Sequence, residues 1–282
     1  MELNSYSKKS KEYEKSLEVS YKKDNGIFYT DIELSRKIIE FLSIPSDTVI
    51  MDPCCGTGSF VIAAKEMGFS SVYGADIDKK AIELSKKEYG IESLKVIDTL
   101  ANSGDAILKQ FKLKEPVDFV IGNPPYAPMS TDIVIDTTDY LFLRNVKDSG
   151  SNLFVAALYR AFELTKTKGI ISYIIPKNLL HVASYGLLRR TIVNEKKIIS
   201  IVDIGRYFKN VRGEQIILTL QNSFEKDNNI EFYKYENNEF VKKLEVPQKF
   251  YSDEILMFDS KEDFNIYQTL EGTYKKFSDI CT

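Results

Sequence analysis

Residues 49–60, Val-Ile-Met-Asp-Pro-Cys-Cys-Gly-Thr-Gly-Ser-Phe, predict a strand, a tight turn and a helix in direct succession. The apolar run before Asp52 is typical of a buried parallel strand. Gly56 and Gly58 let the backbone turn sharply and approach a ligand closely, and the helix that follows offers free N–H groups and the positive end of its dipole. A dinucleotide site would have a third glycine where this chain has Val61. The stretch therefore favours a ligand without a diphosphate.

An acidic residue at the end of the next predicted strand extends this pattern. Residues 71–75 predict that strand, and Asp76 follows Gly56 by 20 positions. A carboxylate at this place can accept hydrogen bonds from both hydroxyls of a ribose. The two features together predict a cofactor that contains a nucleoside, although a glycine turn followed by a helix-capping Asp would give the same pattern.

Strand and helix patterns alternate along most of the chain, which predicts an α/β fold with a largely parallel sheet. Strands are predicted at 48–51, 71–75, 94–97, 117–121, 169–175, 198–203, 215–221 and 230–235, and helices at 32–43, 59–67, 81–89, 106–111, 154–165, 187–194 and 261–270. Thr30 or Asp31 is the expected N-cap of the helix at 32–43. Residues 127–151 form a polar segment that is long for a loop, which favours a functional or mobile element.

The tetrapeptide Asn123-Pro124-Pro125-Tyr126 follows the predicted strand at 117–121, at the sheet edge where ligands bind in such folds. The two prolines fix the backbone and remove two N–H donors. The Asn123 amide oxygen and a nearby backbone carbonyl can accept hydrogen bonds from an amino group, and the Tyr126 ring offers a stacking face. These residues suit methyl transfer to the exocyclic amine of a planar substrate, a reaction that needs positioning more than acid–base chemistry. A structural Pro-Pro turn is the alternative interpretation.

The composition is that of a soluble globular protein, with 282 residues, 43% of them hydrophobic, and a net charge of −3. No apolar stretch approaches the ~20 residues of a membrane span, and the N-terminus lacks the apolar core of a secretory signal. Three cysteines form no disulfide framework, so we expect a cytoplasmic protein. One histidine without a Cys-x-x-Cys motif argues against a zinc site. The basic stretches are short, so binding to nucleic acid would depend on a few loops or on a partner.

In these motifs and their order, the chain resembles the N6-adenine DNA methyltransferases of restriction–modification type, in the gamma arrangement. That family has the cofactor motifs first, the Asn-Pro-Pro-Tyr loop next and the target-recognition domain last, and the resemblance covers nearly the whole chain. It implies a class I S-adenosylmethionine-dependent methyltransferase fold, Rossmann-like, with a seven-stranded, mostly parallel sheet flanked by helices. It also implies an N-terminal polar extension at 1–25, a catalytic domain at 26–250 and a C-terminal segment at 251–282 that leads to a recognition domain.

The resemblance also implies roles for individual residues. Residues 26–30, Gly-Ile-Phe-Tyr-Thr, are similar to the family's leading motif, with Asp31 in place of the usual proline, and either residue can open a helix. Residues 207–211 resemble the loop whose aromatic ring stacks on the flipped target base. The implied catalytic residues are Asn123, Pro124, Pro125 and Tyr126. The implied S-adenosylmethionine-binding residues are Tyr29, Thr30, Asp52, Cys55, Gly56, Gly58, Asp76, Ile77, Asp105, Ala106 and Asn123. The implied substrate-binding residues are Tyr126 and Phe208.

Two questions about the substrate follow from this resemblance. Family members continue for a hundred residues or more beyond the segment that resembles 276–282. We therefore expect that duplex DNA is recognised with the help of a separate specificity subunit or of a C-terminal domain outside this sequence, or in part by residues 127–151. The Asn-Pro-Pro-Tyr loop also occurs in methyltransferases that act on a glutamine amide of a protein or on an amino group of RNA, and these remain alternatives, as does a scaffold without activity.

Overall fold

The computed structural model describes residues 3–18, 26, 28–129, 140–208, 213–252 and 254–273. The helices are α1 Leu3–Ser16, α2 Ile32–Leu42, α3 Ser59–Glu66, α4 Lys79–Tyr89, α5 Gly104–Gln110, α6 Tyr140–Asp148, α7 Leu153–Leu164, α8 Gly186–Glu195 and α9 Lys261–Thr273. The strands are β1 Ile50–Asp52, β2 Val72–Asp76, β3 Leu94–Val96, β4 Val117–Gly122, β5 Thr165–Pro176, β6 Lys197–Gly205, β7 Gln215–Gln221, β8 Asn229–Glu236 and β9 Glu239–Pro247.

The strands of the described residues form one sheet in the order β3-β2-β1-β4-β5-β7-β6-β8-β9. Strands β1 to β5 run parallel, and β7 lies antiparallel between β5 and β6. The predicted α/β class with a mostly parallel sheet is confirmed. The predicted number of seven strands is wrong, because β8 pairs with the outer edge of β6 and β9 pairs with β8, which extends the sheet to nine.

Strand β9 has no counterpart among the predicted elements. It forms a hairpin with β8 through Asn237 and Asn238, whose φ angles of 50° and 67° are those that a two-residue hairpin turn needs. Only Leu244 and Val246 of its nine residues are buried. An edge strand with so little apolar surface has a weak periodic signal, and charged residues on it also discourage pairing with other chains.

Helices cover both faces of the sheet, and each face has an apolar core. One core includes side chains of α5, α7 and α8, and the other includes side chains of α2, α3 and α4. Strand β4 alternates between them, with Val117 and Val120 in the first core and Phe119 and Ile121 in the second. Because both faces are covered, the central strands are apolar at almost every position.

The predicted boundaries at residues 25 and 251 are crossed by packing contacts. At the N-terminal end, the Ser10 hydroxyl of α1 shares a buried hydrogen bond of 2.7 Å with Thr57 in the turn after β1. At the C-terminal end, Phe264 of α9 is buried in the core that contains α7, with its ring centroid 5.0 Å from that of Phe250. Both helices therefore pack against the catalytic fold.

The segment at 127–151 is not entirely the loop that its sequence predicts. Its last part contains helix α6, while residues 130–139 lie outside the described residues. The end of the segment returns to the sheet edge, because Met129 N–H donates to Ser151 O over 2.8 Å and Leu153 N–H donates to Ala127 O over 2.9 Å. Within the described ranges, no helix is both long and apolar enough to cross a membrane.

Candidate active site

A cavity of about 290 Å³ lies where the parallel strands β1 to β4 end. Each of these strands contributes residues from its carboxyl end, as expected for ligand sites in parallel α/β sheets. The lining residues are Gly26, Phe28, Tyr29, Thr30, Asp52, Pro53, Cys54, Cys55, Gly56, Ser59, Phe60, Asp76, Ile77, Asp78, Ile97, Asp98, Thr99, Leu100, Asn123, Pro125, Pro128 and Leu153. Most of the predicted cofactor residues are therefore brought together.

The turn after β1 requires both of its glycines. Gly56 has a φ of +52°, and a Cβ atom there would lie 2.6 Å from Cε1 of the Tyr29 ring. Gly58 has a φ of +85° and is the N-cap of α3. Because L side chains rarely adopt these angles, glycine is the residue that closes this turn without strain. Gly58 does not line the cavity, so its contribution is the shape of the turn.

Asp76 ends β2 and is held by two backbone N–H groups. One carboxylate oxygen accepts from Gly56 N–H over 2.7 Å, and the other accepts from Asp78 N–H over 2.8 Å. Burial raises the pKa of Asp76 from 3.8 to about 6, although these N–H bonds oppose the rise. Each oxygen keeps a lone pair for a ligand hydroxyl. This geometry supports the predicted contact with a ribose.

Asp98, which no sequence motif indicated, occupies a similar place after β3. Its Oδ1 atom accepts from Leu100 N–H and from Ala101 N–H, each over 3.0 Å. The structure does not bring Asp105 and Ala106 to the cavity, because Ser103 caps α5 and Asp105 lies exposed in the first turn of that helix. The resemblance pointed to Asp105 and Ala106, whereas the acid that lines the cavity here follows the end of β3.

The charge of the cavity distinguishes between classes of ligand. Asp52, Asp76, Asp78 and Asp98 line it, whereas no lysine or arginine does so among the described residues. Burial raises the pKa of the Asp52 carboxyl well above its usual value, so a positively charged ligand beside it would favour its ionised form. Phosphate groups call for basic side chains, so this lining suits a ligand that carries positive charge and no phosphate. The described residues contain no group of three or more His, Cys, Asp or Glu placed for a metal ion.

Thr30 supplies a polar atom for a ligand at the same cavity. Its side chain is buried, and its hydroxyl has no hydrogen-bond partner among the described residues. Buried hydroxyls are nearly always bonded, so a lone one that lines a cavity is a candidate ligand donor. The next residue, Asp31, is the N-cap of α2 and accepts from Leu34 N–H over 2.9 Å, as the sequence predicts for one of these two residues.

Asn123 is fixed at both ends of its side-chain amide. Its Nδ2 donates to Phe28 O over 2.8 Å, and its Oδ1 accepts from the Tyr126 hydroxyl over 2.5 Å. That hydroxyl also lies 3.1 Å from Ile174 O on β5. The backbone holds the same arrangement, because Tyr126 N–H donates to Gly26 O over 3.2 Å. The leading motif and the Asn-Pro-Pro-Tyr loop thus form one unit.

The aromatic residue that the structure places beside Tyr126 is Phe28. The centroids of these two rings are 5.9 Å apart, with the planes tilted by 32°. Phe208 lies elsewhere, partly buried in the core that contains α2, with its ring 5.3 Å from that of Tyr207. Residues 209–212 lie outside the described residues, so the stacking role of Phe208 stays a prediction. Tyr126 and Pro124 adjoin the cavity in sequence, but its lining includes neither.

Helix α1 covers the side of the cavity formed by the turns after β1 and β2. The Tyr13 hydroxyl donates to Asp78 Oδ2 over 2.7 Å, and the Tyr13 ring meets the Tyr29 ring edge-on at 6.2 Å. Lys9 forms an ion pair with Glu88 on α4. No sequence motif predicts these contacts, because α1 is polar and lies far along the chain from its partners.

Comparisons with known proteins find related methyltransferases. The chain is 29% identical over 215 residues to the Type II methyltransferase M.VspI of Vibrio sp. (strain 343), an overlap that covers 74% of this chain and 51% of that protein. The chain spans about half the length of the curated relatives that it matches.

Solved structures with under 20% identity share the fold. A type I restriction-modification system methyltransferase subunit from Streptococcus thermophilus aligns with a TM-score of 0.59 and 18% identity, over 90% of this chain and 54% of that one. A structure from Listeria monocytogenes that is assigned to the class I S-adenosylmethionine-dependent methyltransferases aligns with a TM-score of 0.56 and 17% identity, over 82% and 75% of the two chains. These likenesses confirm the class I methyltransferase fold. The family model described as N-6 DNA Methylase matches residues 10–271, and the chain therefore belongs to the N-6 DNA methylase family.

Proposed function

We propose that this chain carries the catalytic site of a DNA methyltransferase, which transfers a methyl group from S-adenosylmethionine to N6 of an adenine at specific sites in duplex DNA. One observation carries the proposal. Asn123 and Pro125, from the loop that would orient the target amine, line the same cavity as Asp76 and Asp98, from the strand ends that would hold a nucleoside. A methyl donor and an amine acceptor could therefore meet in one enclosed space.

The described residues fit this cofactor. Asp76 would accept hydrogen bonds from the ribose hydroxyls, and Asp98, rather than Asp105, would accept one from the adenine amino group. Ile77, whose side chain is 68% exposed at the cavity, would cover a face of that adenine. The unpaired Thr30 hydroxyl would donate to the carboxylate of the methionine part. When bound, the cofactor supplies an electrophilic methyl group on a positively charged sulfur, which matches the carboxylate-rich lining.

Asn123 and the carbonyl of Pro124 would orient the target amine. An amino group that donates both of its N–H bonds keeps its lone pair on nitrogen and directs it at the methyl group. In the structure, the Tyr126 hydroxyl donates to Asn123 Oδ1. Ile174 O, at 3.1 Å, is a second acceptor for the same hydroxyl. Oδ1 keeps a second lone pair for the substrate amine, and both lone pairs become available when the hydroxyl proton turns to the Ile174 carbonyl. Burial raises the pKa of Tyr126, so the hydroxyl remains a donor throughout.

The target adenine has to leave the duplex, because its amino nitrogen is otherwise stacked and paired. Tyr126 and Phe28 offer aromatic surface beside the Asn-Pro-Pro-Tyr loop, and stacking on such a surface stabilises an extruded base by ~1–3 kcal/mol. Phe208 is proposed as a further stacking residue, from the loop that begins at Tyr207. Recognition of the surrounding sequence is proposed to depend on a specificity subunit or a further domain, since the chain has a net charge of −3. A cytoplasmic location is proposed with this function.

The proposal is tested by transfer of a labelled methyl group to duplex DNA, structured RNA and protein substrates, followed by hydrolysis and identification of the methylated product. We expect N6-methyladenine in DNA, and no product with the Asn123→Ala variant. Label in a glutamine side chain or in RNA, with none in DNA across a wide range of DNA concentration, would overturn the choice of substrate. Failure of the folded chain to bind S-adenosylhomocysteine would overturn the cofactor assignment as well.

A further inference from the structure

Arg160 on α7 is one of the most deeply buried large side chains of the chain, with 1% of its surface exposed. Its Nε atom donates to Thr99 O over 3.1 Å, and Nη2 lies 3.5 Å from Leu100 O. A third nitrogen, Nη1, forms an ion pair with Glu163. A guanidinium is costly to bury unless its donors are satisfied. The position of this charge therefore indicates that it organises the segment it binds.

That segment, residues 97–104, contributes to the cavity. Asp98 accepts two backbone N–H groups from it, while Arg160 holds the carbonyls of the two residues that follow Asp98. Two more contacts brace the segment. The Thr99 hydroxyl donates to Pro53 O over 2.8 Å in the turn after β1, and Gly104 N–H donates to Glu163 over 3.0 Å. The Asp98 carboxylate thus binds N–H groups of the segment, and the Arg160 guanidinium binds its carbonyls.

We propose that Arg160 is a positioning residue for the nucleoside end of the cofactor, a role that rests on the proposed function and adds a residue to it. By fixing the Thr99 and Leu100 carbonyls, Arg160 sets the orientation of Asp98, whose other oxygen has no hydrogen-bond partner among the described residues. Arg160 itself does not line the cavity. It acts on adenine recognition through the backbone of this loop.

The chain offers a matched control for this role. Arg189 on α8 is 2% exposed and also donates to two backbone carbonyls, those of Leu179 and Val182, over 2.9 and 2.6 Å. The segment that it holds follows β5 and does not line the cavity. Replacing either arginine by lysine removes a planar guanidinium and leaves a single charged nitrogen in its place. Arg160 contacts its two carbonyls through Nε and Nη2, and Arg189 contacts its two through Nη1. Both variants change a buried arginine that holds backbone carbonyls, but only Arg160→Lys affects the loop of Asp98.

The experiment measures binding of S-adenosylhomocysteine and of S-inosylhomocysteine, which has an oxo group instead of the adenine amino group, by calorimetry. For Arg160→Lys we expect about tenfold weaker binding of the adenine compound and a smaller loss for the inosine compound, so that discrimination between them falls. For Arg189→Lys we expect unchanged discrimination, whatever its loss of thermal stability. Glu163→Gln, which changes a partly exposed partner of Arg160, should shift discrimination in the same direction to a lesser degree.

The outcomes separate the inference from the proposed function. If the wild-type chain binds neither compound, the cofactor assignment fails and this inference fails with it. If the wild-type chain discriminates and Arg160→Lys discriminates equally well, Arg160 has only a structural role. An equal loss of discrimination in Arg160→Lys and Arg189→Lys would also limit Arg160 to a structural role. Should Arg160→Lys not fold, unchanged discrimination in Glu163→Gln overturns the inference.

Discussion

Replacement of Asp76 by Asn should weaken nucleoside binding and at the same time remove a pH-dependent cost of folding. The Asp76 carboxylate accepts N–H bonds from Gly56 and Asp78, and burial raises its pKa from 3.8 to about 6. A carboxyl with a raised pKa holds its proton more tightly in the folded state than in the unfolded chain. The stability of the wild-type chain therefore decreases as the pH rises from about 4 to about 6, and the cost is constant above that range.

The size of this cost follows from the shift in pKa. About two pKa units at 1.36 kcal/mol each correspond to ~3 kcal/mol. Asn does not titrate, so the variant lacks this cost, although one of the two N–H donors loses its acceptor, which costs ~1–3 kcal/mol at every pH. Urea unfolding of both proteins at pH 4 and at pH 7 isolates the titration of Asp76, because the contributions of the other acidic residues are nearly the same in the two proteins and largely cancel in the difference. Part of the cost is already present at pH 4, so between pH 4 and pH 7 the unfolding free energy of the variant should gain ~2–2.5 kcal/mol relative to that of the wild type.

The same substitution should weaken the binding of S-adenosylhomocysteine, although it removes a cost to stability. Hydrogen bonds to a charged acceptor contribute ~1.5–3 kcal/mol, so Asp76→Asn should weaken binding about 10- to 100-fold at pH 8. Wild-type affinity should rise between pH 5 and pH 7, because only the ionised Asp76 carboxylate accepts from both ribose hydroxyls. The affinity of the variant should rise less, because Asp76 no longer titrates and only groups such as Asp52, which lines the same cavity and also has a raised pKa, remain. Calorimetry across this pH range measures both. Equal affinities of the two proteins, or a flat wild-type profile, would refute the assigned role of Asp76.

Other substitutions test the remaining parts of the site. Asn123→Ala should lower methyl transfer by about 100-fold or more with little change in cofactor affinity, measured by label transfer and calorimetry. Gly26→Ala brings a Cβ atom to 2.4 Å from the backbone nitrogen of Ala127, so activity should fall about tenfold or more. Gly68→Ala is the control, because its backbone strain is similar and its Cβ atom would meet nothing within 4 Å. Tyr13→Phe removes the bond to Asp78 and should weaken cofactor binding about two- to tenfold, whereas unchanged binding would make α1 irrelevant to the site.

Local patterns in the sequence were sufficient for the parts of the site that are built from contiguous residues. The turn with Gly56 follows from its glycines, and Asp76 follows from its place at the end of a strand. The Asn-Pro-Pro-Tyr loop is likewise a contiguous motif at a strand end. In each case the strand direction alone determines which edge of the sheet the residues occupy.

Contacts between distant segments could not be predicted in this way. Phe28 meets Tyr126 because Gly26 approaches the loop after β4 across nearly a hundred residues, and no periodicity encodes that approach. Arg160 would be taken for an exposed helix residue, since only tertiary packing supplies the carbonyls that make its burial tolerable. Asp105 was predicted from its resemblance to a family motif, and the cavity lining instead includes Asp98, two residues after the end of β3.

The carboxylate of Asp31 has a consequence for how the binding of cofactor and the binding of DNA affect each other. One of its oxygens caps the N-terminus of α2, directly after Thr30, which lines the cofactor cavity. The other oxygen accepts from the Tyr207 hydroxyl over 2.6 Å, at the start of the loop proposed to stack on the target base. A movement at either end therefore strains a bond at the other. Cofactor and DNA would then bind with a coupling free energy that is the same whichever of the two binds first.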